Sequence, residues 1–392
     1  MRAAPCLLLA ACATAPDDGV DADLPARAVL EEVRAIVPGP GLPDGVDPND
    51  ANNNLDVIRH DGRVWLAVRT APTHFASTKT RMLVLSSEDE VTWRSEGELA
   101  VGTDLREPQL VPTDDGLWIY MAKLGASAVD FEPGGILRAR YEGDGVWSEP
   151  EPFGPEGMIA WRIKPLAGRW AMLGYIGGAG IYDASDNELE IQWWASDDGL
   201  AWEPAVGASP GVLRGGGSEV DAVILDDGSL VAVIRNEAGD ADGHGSKICT
   251  APADALGTWT CSTDPRKYDS PLVFRSGGRV WLVGRRHLAN EGRYELEPTT
   301  DDLEQQTLLN EVAYWNAPKR CALWTVDPAT RTVDHVLDLP SRGDTCFPEA
   351  LDLGDGHWAI YSYSNDVDGP DWKWNEGQVE PTFVYRYVVA LE

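Results

Sequence analysis

A glycine in a tight turn, an apolar strand pattern, and a large polar side chain seven residues after the glycine recur six times along this chain. The pairs are Gly62/Arg69, Gly116/Lys123, Gly168/Tyr175, Gly228/Arg235, Gly278/Arg285 and Gly356/Tyr363. Most of these glycines follow Asp or Gly and precede a Trp by two or three positions, as in Asp61-Gly62-Arg63-Val64-Trp65 and Gly277-Gly278-Arg279-Val280-Trp281. The steps between them are 54, 52, 60, 50 and 78 residues. That is the period of four-stranded blades in a β-propeller, where each sheet buries its faces only against its neighbours. The repeat therefore predicts an all-β chain of six four-stranded antiparallel blades.

The seven-residue offset also carries chemistry. A turn glycine followed by a period-2 strand sets the same pleat position of every blade at one height, so these side chains should converge at the mouth of the central channel. The ring reads Arg, Lys, Tyr, Arg, Arg, Tyr. Long polar residues also mark where strands meet solvent, but four cations and two tyrosines in one register fit a ring better.

With 392 residues and 16 Trp the chain has material for one large repeat domain. No apolar run is long enough to span a bilayer. The start, Leu7-Leu8-Leu9-Ala10-Ala11-Cys12, reads as a lipoprotein signal of residues 1–12 with Cys12 lipidated, although its charged leader is only Arg2 and an ordinary secretory signal is the alternative. Residues 13–28 then form an acidic flexible tether, and 29–392 the propeller. The protein is expected to be exported and held at the cell envelope, or otherwise secreted. Val29 to Val37 has strand content, though residues 26–37 also pass as a short helix. The strand is favoured, because the last repeat shows only three strand candidates and an N-terminal strand would complete its sheet and close the ring.

Apart from Cys6 and Cys12, four cysteines remain, which allow three pairings. In an oxidising compartment Cys249 with Cys261 would staple adjacent strands of the fourth blade, and Cys321 with Cys346 would tie the fifth blade to the sixth. No spacing of Cys and His matches a zinc site. The net charge of −32 argues against nucleic acid or an anionic membrane surface as partner. No cofactor is expected. Calcium is the one ion with candidate loops, Asp240-Ala241-Asp242-Gly243 and Asp366-Val367-Asp368-Gly369, but neither supplies a full ligand series and both read equally as solvated turns.

A second repeat lies at the other end of the blades. Ala195-Ser196-Asp197-Asp198-Gly199-Leu200-Ala201-Trp202 resembles the Asp-box (BNR) pattern, and Ser86-Ser87-Glu88-Asp89-Glu90-Val91-Thr92-Trp93 resembles it with Glu88 in place of Asp. In such a hairpin a carboxylate ties down turn N–H groups while the Trp plugs between sheets.

Together these motifs make the chain similar to the sialidase superfamily, specifically its six-bladed bacterial sialidase-like members, from about Asn54 to Tyr387. Asp104-Leu105-Arg106-Glu107-Pro108, Trp161-Arg162, Ser218-Glu219, Val283-Gly284-Arg285 and Leu339-Pro340-Ser341-Arg342-Gly343-Asp344-Thr345 resemble that group's blade motifs. The resemblance implies three arginines that bind a substrate carboxylate as bidentate forks, a Glu–Tyr nucleophilic pair and an Asp acid/base. Arg235 and Arg285 resemble the second and third arginines, Glu219 the activating Glu, and Arg69 or Arg106 supplies the other fork. Arg162 joins this substrate-binding set.

Phe347 stands where the nucleophilic Tyr is expected, in Asp344-Thr345-Cys346-Phe347-Pro348. Tyr268, Tyr361 or Tyr363 is then a substitute, or Glu219 or Asp344 works with a water in the inverting arrangement. Asp56, Asp104, Glu107, Asp221 and Asp269 are acid candidates, all near the start of a blade's first strand. His74, in the loop after Arg69, is a further candidate beside the plainer reading of a solvated loop histidine. The expected function is a monomeric glycoside hydrolase acting on sialosides or related acidic glycans. A surface carbohydrate-binding propeller without the nucleophile, and an adhesion scaffold, are the alternatives.

Overall fold

A computed structural model of the chain describes residues 25–128, 133–177 and 188–392. The expected signal of residues 1–12 and most of the tether lie outside these. The described residues form six antiparallel sheets, and each of the six turn glycines opens the second strand of one sheet. The first strands of the six blades are Ala51–His60, Leu105–Thr113, Ile159–Leu166, Gly217–Ile224, Asp269–Ser276 and Glu349–Gly354. Those of blades 1 to 5 pack on one another in turn, and that of blade 6 returns onto blade 1, so these strands line the axis. Blades 2 and 3 each carry a short fifth strand in addition to the expected four.

All six turn glycines have positive φ, and in Asp61-Gly62 and Gly277-Gly278 both turn residues do. That is the type I′ geometry that matches the twist of a two-residue hairpin. The strand that follows, Arg63–Ala71, is buried almost throughout and does not alternate. A blade covered on both faces by its neighbours leaves no solvent side, so apolar residues fill both pleat positions.

Three hydrogen bonds repeat the same link between consecutive blades. Asp56 accepts from Leu110 N at 2.5 Å, Gln109 from Ile163 N at 2.6 Å, and Asp221 from Val273 N at 2.6 Å. Each is a polar side chain of one inner strand satisfying a backbone donor of the next, where the ladder leaves it open.

Ala28–Val37 pairs with Thr382–Leu391 as the outer strand of blade 6, so the N-terminal segment is a strand and closes the ring as the sequence suggests. Cys249–Cys261 bridges facing residues of two strands in blade 4 (S–S 2.07 Å), and Cys321–Cys346 joins blade 5 to the segment leading into blade 6 (2.01 Å). In the turn at 196–202, Asp198 accepts from Leu200 N and Ala201 N, each at 2.8 Å; in that at 87–92, Asp89 accepts from Val91 N at 2.8 Å and Thr92 N at 2.7 Å. The stapling carboxylates are thus Asp198 and Asp89, where the motif alignment points to Asp197 and Glu88.

Two helices were not foreseen in the sequence, α1 (Leu303–Trp315) between the second and third strands of blade 5, and α2 (Trp374–Gly377) in blade 6. In α1 the side chains turned inward are Gln306, Thr307, Asn310 and Tyr314, whereas Leu308, Leu309, Val312 and Trp315 are exposed.

Candidate functional site

The mouth of the channel is shaped by bulges. Pairing between the first two strands slips between Asn53 and Leu55, Arg106 and Gln109, Ala160 and Arg162, Gly217 and Val220, and Asp269 and Leu272. At Asn54, Glu107 and Ser270 the backbone is left-handed, with φ of 43°, 45° and 52°. A bulge bends the strand and re-aims side chains, and such distortions gather beside functional sites. At this same end Asn53 faces Arg69, Leu105 faces Lys123, Ile159 faces Tyr175 and Asp269 faces Arg285.

Blades 4 and 5 bring together the densest charge cluster. Arg235 reaches Glu219 at 2.5 Å and Asp269 at 3.1 Å, and also pairs with Glu237. Arg285 reaches the other oxygen of Asp269 at 2.8 Å and bonds Thr345 O. Tyr314 of α1 donates to that same oxygen at 2.7 Å, and the Trp374 ring lies 4.6 Å under the Arg285 guanidinium. Burial opposes ionisation of Asp269, but Arg235, Lys267 and Arg285 outweigh it and hold the carboxyl far below its ordinary range. Glu219 moves the other way, because burial exceeds the pull of Arg235 and the charge of Asp269 adds to it.

On the opposite side, Arg69 reaches Asp104 at 2.8 Å and Asn53 at 2.9 Å, and Arg106 pairs with the other Asp104 oxygen. Arg69 is wholly enclosed and organises this wall. Arg235 keeps 15% of its side chain exposed and is the most open of the predicted forks. Glu107, on its bulge, accepts from Asn54 at 2.5 Å. Burial, opposed by Arg106 and reinforced by Glu219, pushes it up to about 7.

The remaining predicted residues divide by position. Asp344, fully buried, accepts from Tyr363 at 2.9 Å and Trp374 at 3.0 Å and lies 2.7 Å from His74. Burial and Asp344 push the Tyr363 phenol well up, which keeps it protonated. Phe347 packs on Trp161, ring centroids 5.1 Å apart, with the Arg162 guanidinium 5.5 Å above it. Arg162 itself pairs with Glu349 and donates to Pro271 O and Pro348 O. Asp56 and Asp221 hold the links between blades. Tyr361 donates to Glu90, and Tyr268 donates to Asp264 beside Trp324, both away from the cluster of Arg235 and Arg285.

Glu237, Tyr314 and Trp374 were missed in the sequence. The signal for Tyr314 is the long last step of the repeat, 78 residues against about 50, which holds α1; Trp374, in α2, lies beyond it. Lys319 anchors the end of α1 by donating to Ala317 O at 3.0 Å, and burial with the nearby Arg285 charge drives it down to about 6.

No group of three or more His, Cys, Asp or Glu among the described residues is arranged to hold a metal. In the two candidate calcium loops, Asp240 pairs with Lys247 at 2.9 Å, and Asp366 accepts from Asp368 N at 3.0 Å.

No protein-family model and no curated protein matches the sequence. Among solved structures the chain is similar to a protein of unknown function from Dyadobacter fermentans DSM 18053, with a TM-score of 0.57 and 17% identity, covering 93% of this chain and 99% of that one. It also aligns with Trypanosoma rangeli sialidase in complex with sialic acid (TM-score 0.48, 14% identity), covering 86% of this chain and 54% of the sialidase, so it spans about half that protein's length. The catalytic domain of a Coprinopsis cinerea GH62 α-L-arabinofuranosidase aligns with a TM-score of 0.43 and 11% identity, over 90% of this chain and 95% of that one. At these identities a likeness is one of fold. The chain is a six-bladed β-propeller, and the Dyadobacter protein shares its fold from end to end.

Proposed function

We propose that this protein is an exported glycoside hydrolase acting on acidic glycans, sialosides among them, at the axial mouth. The observation that carries the reading is the gathering of five carboxyl groups at the mouth with the Arg235 and Arg285 forks, in surroundings that push them in opposite directions. Glu107 and Glu219 are displaced toward the neutral acid, while Asp269, Asp104 and Asp344 are held ionised. Carboxyl groups driven apart in this way are what acid-assisted glycoside cleavage needs. Arg235 and Arg285 offer planar forks for a sugar carboxylate, with Arg106 on the far wall. Glu107 is the proton donor to the leaving oxygen. The Tyr363 phenol is held protonated by Asp344 and Phe347 has none, so water is the nucleophile and the course is a single displacement. Export follows from the leader-like start and agrees with two disulfides; lipidation at Cys12 belongs to the same proposal.

A second reading, a propeller that binds acidic glycans without cleaving them, is favoured by Phe347 alone. The deciding experiment incubates protein lacking residues 1–24 with sialylated and uronate-bearing glycans and follows released sugar by mass spectrometry. Release that disappears in Arg235→Ala supports hydrolysis. Binding of the same glycans by calorimetry without release supports the second reading.

A further inference from the structure

His74 is held at three of its four polar groups. Its N–H donates to Gln378 O at 3.1 Å, its carbonyl accepts from Arg106, and its ring Nδ1 lies 2.7 Å from Asp344 Oδ2. Nε2 has no hydrogen-bond partner among the described residues, and the side chain keeps 14% of its surface open. Phe75 and Trp374 stand edge-on to the ring at 6.2 and 6.4 Å, fixing its plane.

Behind the ring, Asp344 is bound from three directions, by His74, by the Tyr363 phenol and by the Trp374 indole, and its own N–H donates to Asn365 at 2.7 Å. Burial opposes its ionisation, but His74, Arg285 and Tyr363 prevail and keep it a carboxylate. A carboxylate at Nδ1 demands a proton there, which leaves the lone pair on Nε2. Burial lowers the His74 pKa, Asp344 opposes this, and Arg106 and Arg69 reinforce it. The net displacement is below the ordinary value near 6.5, so the ring is neutral at neutral pH. A bond that merely ties the loop after blade 1 to blade 6 would be served by Nδ1 alone. A basic nitrogen kept unpartnered beside Arg106 requires a further account.

We propose that His74 is the proton acceptor of the channel mouth, its Nε2 taking a proton from the water that attacks the anomeric carbon of an acidic glycoside, with Asp344 as its positioning residue. The inference rests on the hydrolase reading. In the step the water oxygen bonds to the anomeric carbon as the glycosidic C–O bond breaks. One water proton passes to Nε2, and the leaving oxygen receives the Glu107 proton. His74 then releases its proton to solvent and Glu107 regains one, so the net change is one water consumed.

The test compares the full chain with His74→Gln and Asp344→Asn on 4-methylumbelliferyl glycosides of N-acetylneuraminic acid and glucuronic acid, across pH. For His74→Gln, kcat should fall about 10²- to 10⁴-fold with KM little changed and the acidic limb of the profile lost. Asp344→Asn should move that limb to lower pH, because the carboxylate that raises the His74 pKa is gone. Histidine-selective ¹⁵N spectra of the unmodified protein should show the Nδ1–H tautomer at pH 7. This last readout holds even if a variant fails to fold. A protonated ring or the Nε2–H tautomer overturns the proposal. So does turnover by His74→Gln at the unmodified rate with its acidic limb intact, which leaves the hydrolase reading standing. Folded unmodified protein that cleaves neither probe overturns the hydrolase reading and His74's role with it.

Discussion

Arg235 and Glu219 lie 2.5 Å apart, sixteen positions apart in sequence and on facing strands of one blade. A ligand carboxylate that takes the Arg235 fork must displace or share with Glu219. Losing part of that cationic partner raises the Glu219 pKa further above its already elevated value. Binding of an acidic sugar at neutral pH should therefore take up to one proton. Calorimetry in buffers of different ionisation enthalpy measures it, and an enthalpy independent of buffer would mean that Glu219 stays on Arg235.

Arg69 and Arg235 should separate stability from recognition. Arg69→Met leaves Asp104 buried with Arg106 as its remaining guanidinium partner, and breaking a buried pair costs about 3–5 kcal/mol. Its glycan affinity, measured where the variant is still folded, should match the unmodified protein. Arg235→Met removes a charge-assisted bond to the ligand worth about 1.5–3 kcal/mol, or roughly 10- to 150-fold in Kd. Denaturation curves and binding isotherms on both variants check the split.

Glu107→Gln should discriminate between leaving groups. An acid that protonates the departing oxygen matters little when that oxygen leaves as a stabilised phenolate and greatly when it leaves as an alkoxide. The variant should retain most activity on a methylumbelliferyl glycoside and lose about 10²-fold or more on a natural disaccharide. In the unmodified protein, activity should decline on the alkaline side as Glu107 ionises, at about pH 7.

How much of this was readable in advance differs between scaffold and site. Gly62 and its five counterparts announce the blades because a left-handed turn residue leaves few alternatives in sequence. Ala28–Val37 and the cysteine pairs followed from what each blade lacked or placed side by side. Beyond the length of the last repeat step, helix α1 gave no signal, since its apolar residues face outward and Gln306, Thr307 and Asn310 face in, which reverses the pattern that marks a surface helix. The partners of Arg235 were half legible. Glu219 faces it across one hairpin, whereas Asp269 arrives from the next blade, itself held by Tyr314 of α1, and no local spacing encodes that meeting. His74 and Asp344 are 270 positions apart, so the ring had nothing nearby in sequence to distinguish it from an ordinary loop histidine.

Asp56 should make the scaffold less stable as pH rises. Burial lifts its carboxyl from 3.8 to about 6 against the pull of Leu110 N and Arg162. The native state therefore binds the proton more tightly than the unfolded chain, and the associated stability is present below about pH 4 and lost as pH rises through about 6. The contribution is about 3 kcal/mol at most. Asp56→Asn keeps an oxygen for Leu110 N, so its urea midpoint should vary less between pH 4 and 7 than that of the unmodified protein.

Blade 6 is assembled from opposite ends of the sequence, Ala28 facing Leu391 and Val37 facing Val384. During synthesis at about 5–20 residues per second, the strand at 28–37 emerges roughly 20 to 70 s before its partner exists. Through that interval a strand edge with Val29, Val33 and Val37 waits unpaired, the exposure that invites intermolecular pairing. Circularisation thus waits for the strand at 382–391, and the propeller has no closed ring to test until that strand is released.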